Sequence, residues 1–264
     1  MSLAEALLDL QELTRQLRRE CPWDREQTAV TIVPHTIEEA YEVADAALAD
    51  DAEALHGELG DLLFQVYFLT LLLEEKDLGN LESVARAVHE KLVRRHPHVF
   101  GDADASSAGA VRLRWEALKT EQEGREGIFH DVPEALPALL RSRKVQRRAA
   151  AVGYDWPDLA GPLAKLREEL AELEEASARA GEPAPETEPD RDVFHELGDV
   201  LFTVVNVARR LNVDPELALR ATTQRFTARV EAAADLADLN GVDWRSLDLD
   251  AQDAYYERAK EALS

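Results

Sequence analysis

The chain has 264 residues, of which 45% are hydrophobic and 6% aromatic, a length that holds one large domain or two of about 130. Abundant Ala, Leu and Glu with few Gly favour a helical globular protein over a sheet protein or a disordered one. The 53 acidic against 30 basic residues leave a formal charge of −23, which argues against a general nucleic-acid binder but not against a phosphate ligand that arrives as a metal complex.

The opening stretch, MSLAEALLDLQELTRQLRRE, reads as an amphipathic helix, without the basic start and small-residue cleavage site of a signal peptide. Cys21 is the only cysteine, so neither an intramolecular disulfide nor a cysteine-based zinc cluster is expected, and the residue reads as structural. HTIEEAYEV (35–43) then sets Glu38, Glu39 and Glu42 on one helix face, because positions three and four apart are neighbours. In HGELGDLLFQVYF (56–68), Glu58 and Asp61 do the same on the next helix. The apolar run Leu62 to Leu73 that follows contains Gln65 and Thr70; it is too short to span a bilayer and is expected to be a buried helix. A soluble cytoplasmic protein with no membrane contact is the expectation.

Further on, RRHPHVF (94–100) places Pro97 between His96 and His98, which fits a helix end better than a transition-metal site. Gly and Pro interrupt the helical pattern in EGREGIFHDVPEALP (123–137), a natural boundary. The basic run RSRKVQRRAA (141–150) is expected to solvate the helix after that boundary or to border a phosphate site. Trp23, Trp115, Trp156 and Trp244 read first as core or interface residues. No segment alternates in the manner of a strand, so the fold class is all-α.

Beyond the boundary the chain repeats itself. EEAYEV (38–43) is echoed by EELAEL (168–173), and HGELGDLLFQVYF by FHELGDVLFTVVN (194–206). Glu38, Glu39 and Glu42 thereby correspond to Glu168, Glu169 and Glu172, and Glu58 and Asp61 to Glu196 and Asp199. KLVRR (91–95) parallels RFTAR (225–229), setting Lys91 and Arg95 against Arg225 and Arg229; RWEALK (114–119) parallels YYERAK (255–260), setting Trp115 against Tyr256. The reading is two copies, 1–125 and 141–264, joined by a linker at 126–140. Between Glu42 and Glu58 lie 15 residues, and between Glu172 and Glu196 lie 23, the excess falling in AGEPAPETEPD (180–190). Loop length has drifted while spacing within each acidic group has not, as geometry on helices joined by a tolerant loop would require.

Any one acidic helix face is ordinarily just solvated; two copies in the same order point instead to a metal. If each pair of helices forms an antiparallel hairpin, four carboxylates converge and repel unless a cation neutralises them. Mg²⁺ or Mn²⁺ suits such hard oxygen donors. A di-iron bundle needs Glu-x-x-His on two helices, and Glu53-Ala-Leu-His56 has no counterpart in the second copy. The absence of a G-x-x-x-x-G-K-[ST] loop removes the P-loop reading.

The Glu-Glu-x-x-Glu … Glu-x-x-Asp pattern, with CPWDREQT (21–28), RRHPHVF (94–100), RWEALKTEQ (114–122) and VGYDW (152–156), resembles the MazG family of nucleoside triphosphate pyrophosphohydrolases, tandem arrangement included. The resemblance implies helical bundles, Mg²⁺ dependence, homodimerisation, and hydrolysis of an NTP or dNTP between the α and β phosphates, with removal of unwanted nucleotides as the role. It carries metal-ligand roles to Glu39, Glu42, Glu58, Asp61, Glu169, Glu172, Glu196 and Asp199. Glu38 and Glu168 would position or deprotonate the attacking water, or bind a further Mg²⁺. Lys165, Arg225 and Arg229, with Lys91 and Arg95 as counterparts, would contact phosphates, and Tyr256 or Trp115 would stack on the base. His35 stands where the second copy has Lys165, which favours the second copy as the main catalytic one although the first keeps every acid. Two other readings stand beside this: a helical module that binds nucleotide or a partner without turnover, and a related enzyme acting on dUTP or phosphoribosyl-ATP.

Overall fold

A computed structural model describes residues 1–101, 127–130, 132–182 and 188–263. Helices dominate, and no strand occurs among the described residues. The chain divides into two units, Met1–Gln122 and Glu123–Ser264.

The first unit holds α1 (Leu3–Glu20), α2 (Pro22–Glu26), α3 (Ala29–Leu48), α4 (Ala52–Glu74), α5 (Leu81–Arg95) and α6 (Pro97–Phe100). Polar caps set where these helices begin. Ser2, Thr28 and Asn80 each accept from the backbone N–H three residues on, and Asp51 accepts from Glu53 and Ala54, satisfying amides that have no partner within the helix. Helix α5 ends at His96 and Pro97 opens α6, as the RRHPHVF stretch led one to expect. The core joins α3 to α4: Ile32, Phe68 and Leu72 are buried together, with Phe64 and Leu69 against them. Arg18 fastens α1 to this pair. Its guanidinium donates to both carboxylate oxygens of Glu75, at 2.7 and 2.9 Å, and to the carbonyls of Asp24 and Gln27. That ion pair holds the Glu75 carboxyl below its ordinary range.

The second unit holds α7 (Ala138–Ala151), α8 (Ala160–Ala180), α9 (Arg191–Arg210), α10 (Pro215–Leu239), a 3₁₀ turn (Trp244–Ser246) and α11 (Leu249–Ala262). Small residues allow close helix packing here: Ala176, Val205, Ala233, Ala237 and Ala259 are almost wholly buried. In VGYDW, Asp155 pairs with Arg209 and Arg210 of α9, while Trp156 lies over the start of α8. A Cβ at Gly161 would fall 2.1 Å from the Trp156 ring, so only glycine fits there.

Two expectations need correction. The basic run 141–150 is only partly a solvated face: Arg141 and Arg147 are exposed, but Gln146 and Arg148 are buried, Arg143 pairs with Asp214, and Gln146 donates to the Phe202 carbonyl at 2.8 Å. The run Leu62–Leu73 is helical but only half buried, since Leu63, Val66 and Leu73 remain exposed. No helix among the described residues is long and apolar enough to cross a membrane.

Candidate functional site

The acids are brought together by two helical hairpins. After α3, Ala49 to Asp51 reverse the chain, with Asp50 at φ 55°, a left-handed conformation that Asp tolerates better than most residues. Helices α3 and α4 then pack side by side in opposite directions. Glu38, Glu39 and Glu42 sit on one face of α3, and Glu58 and Asp61 on the facing turn of α4. Ligand oxygens of Glu39, Glu58 and Asp61 all lie within 4.8 Å of one another, and the neighbouring Glu42 carboxyl raises the pKa of both Glu39 and Glu58.

The second unit repeats this arrangement on α8 and α9, although the connection between them differs in length. Asp190 caps α9, and ligand oxygens of Glu169, Glu196 and Asp199 again lie within 4.8 Å of one another. Glu172 lies close enough for Glu169 to raise its pKa. Glu169 is buried and Glu39, Glu58 and Glu196 are half-buried, whereas Glu38, Glu42, Asp61, Glu168, Glu172 and Asp199 are exposed. Both donor sets consist of carboxylate oxygens, so they fit a hard divalent cation rather than a sulfur- or imidazole-seeking one.

Crowding shows in the acidities. Partial burial, then the charges of Asp61 and Glu42, raise Glu39; partial burial, then Glu42 and Asp61, raise Glu58. Burial and hydrogen bonding with Glu169 raise Glu172, with Lys165 opposing. A carboxyl whose folded value lies above its unfolded one stabilises the fold below the unfolded pKa and loses that contribution as pH rises through the folded value. In the metal-free chain, the melting-temperature advantage of Glu58→Gln over the parent is therefore expected to grow from acid to neutral pH. An advantage that is equal at both ends, or larger in acid, would show that repulsion at Glu58 is not felt by the fold.

The two copies differ beside the acids. In the second, the Lys165 ammonium stands 2.7 Å from Glu168 and 2.8 Å from Glu169. In the first, His35 lies 3.7 Å from Glu38, and its ring meets the edge of the half-exposed Trp23. The remaining predicted residues stand on other helices. Lys91 and Arg95 are one turn apart on α5, and Arg225 and Arg229 one turn apart on α10. Tyr256, on α11, pairs its ring with Phe226 at 6.0 Å. Phe226 went unnoticed in the sequence; its place directly after Arg225 was the available signal. Trp115 lies outside the described residues.

The MazG nucleotide pyrophosphohydrolase domain family matches residues 27–100, a span that contains the first acid group together with Lys91 and Arg95. Over 263 residues the chain is 37% identical to the nucleoside triphosphate pyrophosphohydrolase of Escherichia coli, covering 98% of each chain. It is also 37% identical over 260 residues to the nucleoside triphosphate pyrophosphohydrolase/pyrophosphatase MazG of Thermotoga maritima, covering 98% of this chain and 96% of that one. A nucleoside triphosphate pyrophosphohydrolase of Mycobacterium tuberculosis is 33% identical over 151 residues, 56% of this chain and 46% of that one.

Proposed function

The chain belongs to the MazG family of nucleoside triphosphate pyrophosphohydrolases, and we propose that it hydrolyses NTPs or dNTPs between the α and β phosphates, giving the monophosphate and pyrophosphate. The observation that carries this reading is the paired acid groups: the same carboxylate cluster occurs on both hairpins of a chain that matches characteristically named pyrophosphohydrolases from end to end.

Glu39, Glu42, Glu58 and Asp61, and likewise Glu169, Glu172, Glu196 and Asp199, would hold Mg²⁺, with Mn²⁺ as a substitute. The cation would neutralise phosphate charge and acidify a water molecule. Glu38 and Glu168, exposed at the edges of the clusters, would orient the attacking water and accept its proton. Arg225 and Arg229, with Lys91 and Arg95 in the first copy, would hold the phosphate chain by charge-assisted hydrogen bonds. Phe226, directly after Arg225 in sequence, pairs with Tyr256, and these rings would offer a face to the base; Trp115 is proposed for the same role in the first copy.

A homodimer belongs to the proposal as well. Helix α9 leaves Phe194, Leu197, Leu201 and Val204 exposed along one stripe, and α4 leaves Leu59, Leu63 and Val66 exposed. Open space surrounds Gly60 and Gly198 on the same helices, so a second copy can approach these backbones closely. Apolar stripes of this extent are ordinarily covered by a partner. Removal of unwanted nucleotides in the cytoplasm, without membrane or nucleic-acid partners, is the proposed role.

The test is a panel of canonical and altered NTPs and dNTPs with Mg²⁺ and full product identification. Monophosphate and pyrophosphate are expected in equal amounts, with the fastest substrates defining base and sugar preference. Nucleoside diphosphate with orthophosphate would refute the reading.

A further inference from the structure

Corresponding positions in the two acid groups carry different bases, and the difference is one of kind. Lys165 bridges Glu168 and Glu169 at 2.7 and 2.8 Å, and Glu169 is 5% exposed. Its ammonium therefore lies against a carboxylate that also belongs to the cluster with Glu196 and Asp199. His35, one helix turn before Glu39, lies 3.7 Å from Glu38, and its ring packs T-shaped with Trp23, centroids 5.8 Å apart. Among the described residues no such ammonium reaches the first group, and Glu39 makes no ion pair.

We propose that Lys165 is a built-in counter-cation of the second acid group, so that free divalent cation loads the first group more tightly than the second. This rests on the metal reading above and adds an order of loading to it. Filling the second group requires Lys165 to leave Glu169. A lysine is a compact point charge on a flexible four-carbon stem, and the phosphates of an arriving nucleotide offer it an alternative partner. The second group thus becomes fully available when nucleotide and cation arrive together, which keeps it from holding cation unproductively. The first group, with no ammonium against it among the described residues, holds cation in the absence of nucleotide.

Mn²⁺ binding to the full chain, read by electron paramagnetic resonance of the free ion without nucleotide, tests the proposal. Two affinity classes are expected, the tighter removed by Glu39→Gln and the weaker by Glu169→Gln. Lys165→Met should tighten the weaker class by on the order of 10-fold, the worth of one charge-assisted hydrogen bond. Lys165→Arg, which keeps the charge, should leave that class weak. A non-hydrolysable NTP analogue bridged by α,β-methylene should tighten the weaker class in the parent far more than in Lys165→Met. Equal classes in the parent, a tighter class that belongs to Glu169, or a Lys165→Met protein with parental Mn²⁺ affinity would each overturn the counter-cation role while leaving the metal sites standing. Parental Mn²⁺ binding in both glutamine variants would instead overturn the metal reading itself.

Discussion

The Glu39→Gln/Glu169→Gln double variant is expected to lose pyrophosphate release by roughly 10³-fold or more, since it removes one cluster acid from each copy and a catalytic cation is worth several kcal/mol of transition-state charge stabilisation. Substitution by glutamine keeps shape and hydrogen-bonding capacity and deletes only the charge. The single variants then apportion the rate: the lysine beside Glu168 and Glu169 favours Glu169→Gln as the more damaging. Stability is expected to move the other way for Glu39→Gln. Burial and the charges of Asp61 and Glu42 raise the Glu39 carboxyl, so removing its charge relieves a repulsion in the metal-free chain, and the melting temperature in chelator should rise. Opposite signs for activity and stability are expected where a functional cluster is held together against its own charge. Steady-state pyrophosphate assays and calorimetry in chelator check the two halves; a double variant with the parental rate would show that these acids are not the site.

Phe68→Ala carries the largest expected cost in stability. The side chain is 0% exposed. It packs with Ile32 and Leu72, lies 6.0 Å from the Phe64 ring, and has the Arg18 guanidinium 5.9 Å above its face. Deleting a buried phenyl ring costs about 3–5 kcal/mol, a large part of the roughly 5–15 kcal/mol that a domain has. Ile32 is on α3 and Phe68 on α4, so the same change loosens the hairpin that sets Glu39 and Glu42 against Glu58 and Asp61. Urea titration should show the loss, and Mn²⁺ binding by the first acid group should weaken although no acid has been touched. Leu78→Ala, at a residue 71% exposed, should stay within about 0.5 kcal/mol of the parent. A Phe68→Ala cost below about 1 kcal/mol would mean that this core does not fasten the hairpin.

The acid geometry was legible in the sequence because it depends on two local rules. Helical spacing puts Glu39 beside Glu42 and Glu58 beside Asp61, and the internal repeat shows that this spacing outlasts a change of loop length. Side-chain partners from distant segments were not legible. Arg143 reads as a solvent-facing base until Asp214, the N-cap of α10, is found against it, and Arg148 gives no local sign of being buried. Lys165 was recognisable as a base beside the acids, but its bridge to Glu168 and Glu169 depends on its rotamer. The half-exposure of Leu62–Leu73 also lay beyond the sequence, because a long apolar run does not reveal which of its faces the chain itself covers.

The acid groups are proposed to serve cation-dependent cleavage between the α and β phosphates. Phosphorus NMR of the full chain with an NTP, in one tube through successive additions of Mg²⁺, chelator and excess Mg²⁺, tests it most directly. Monophosphate and pyrophosphate should rise together, stop on chelation and resume when Mg²⁺ is restored. Nucleoside diphosphate with orthophosphate, or turnover indifferent to the chelator, would contradict it.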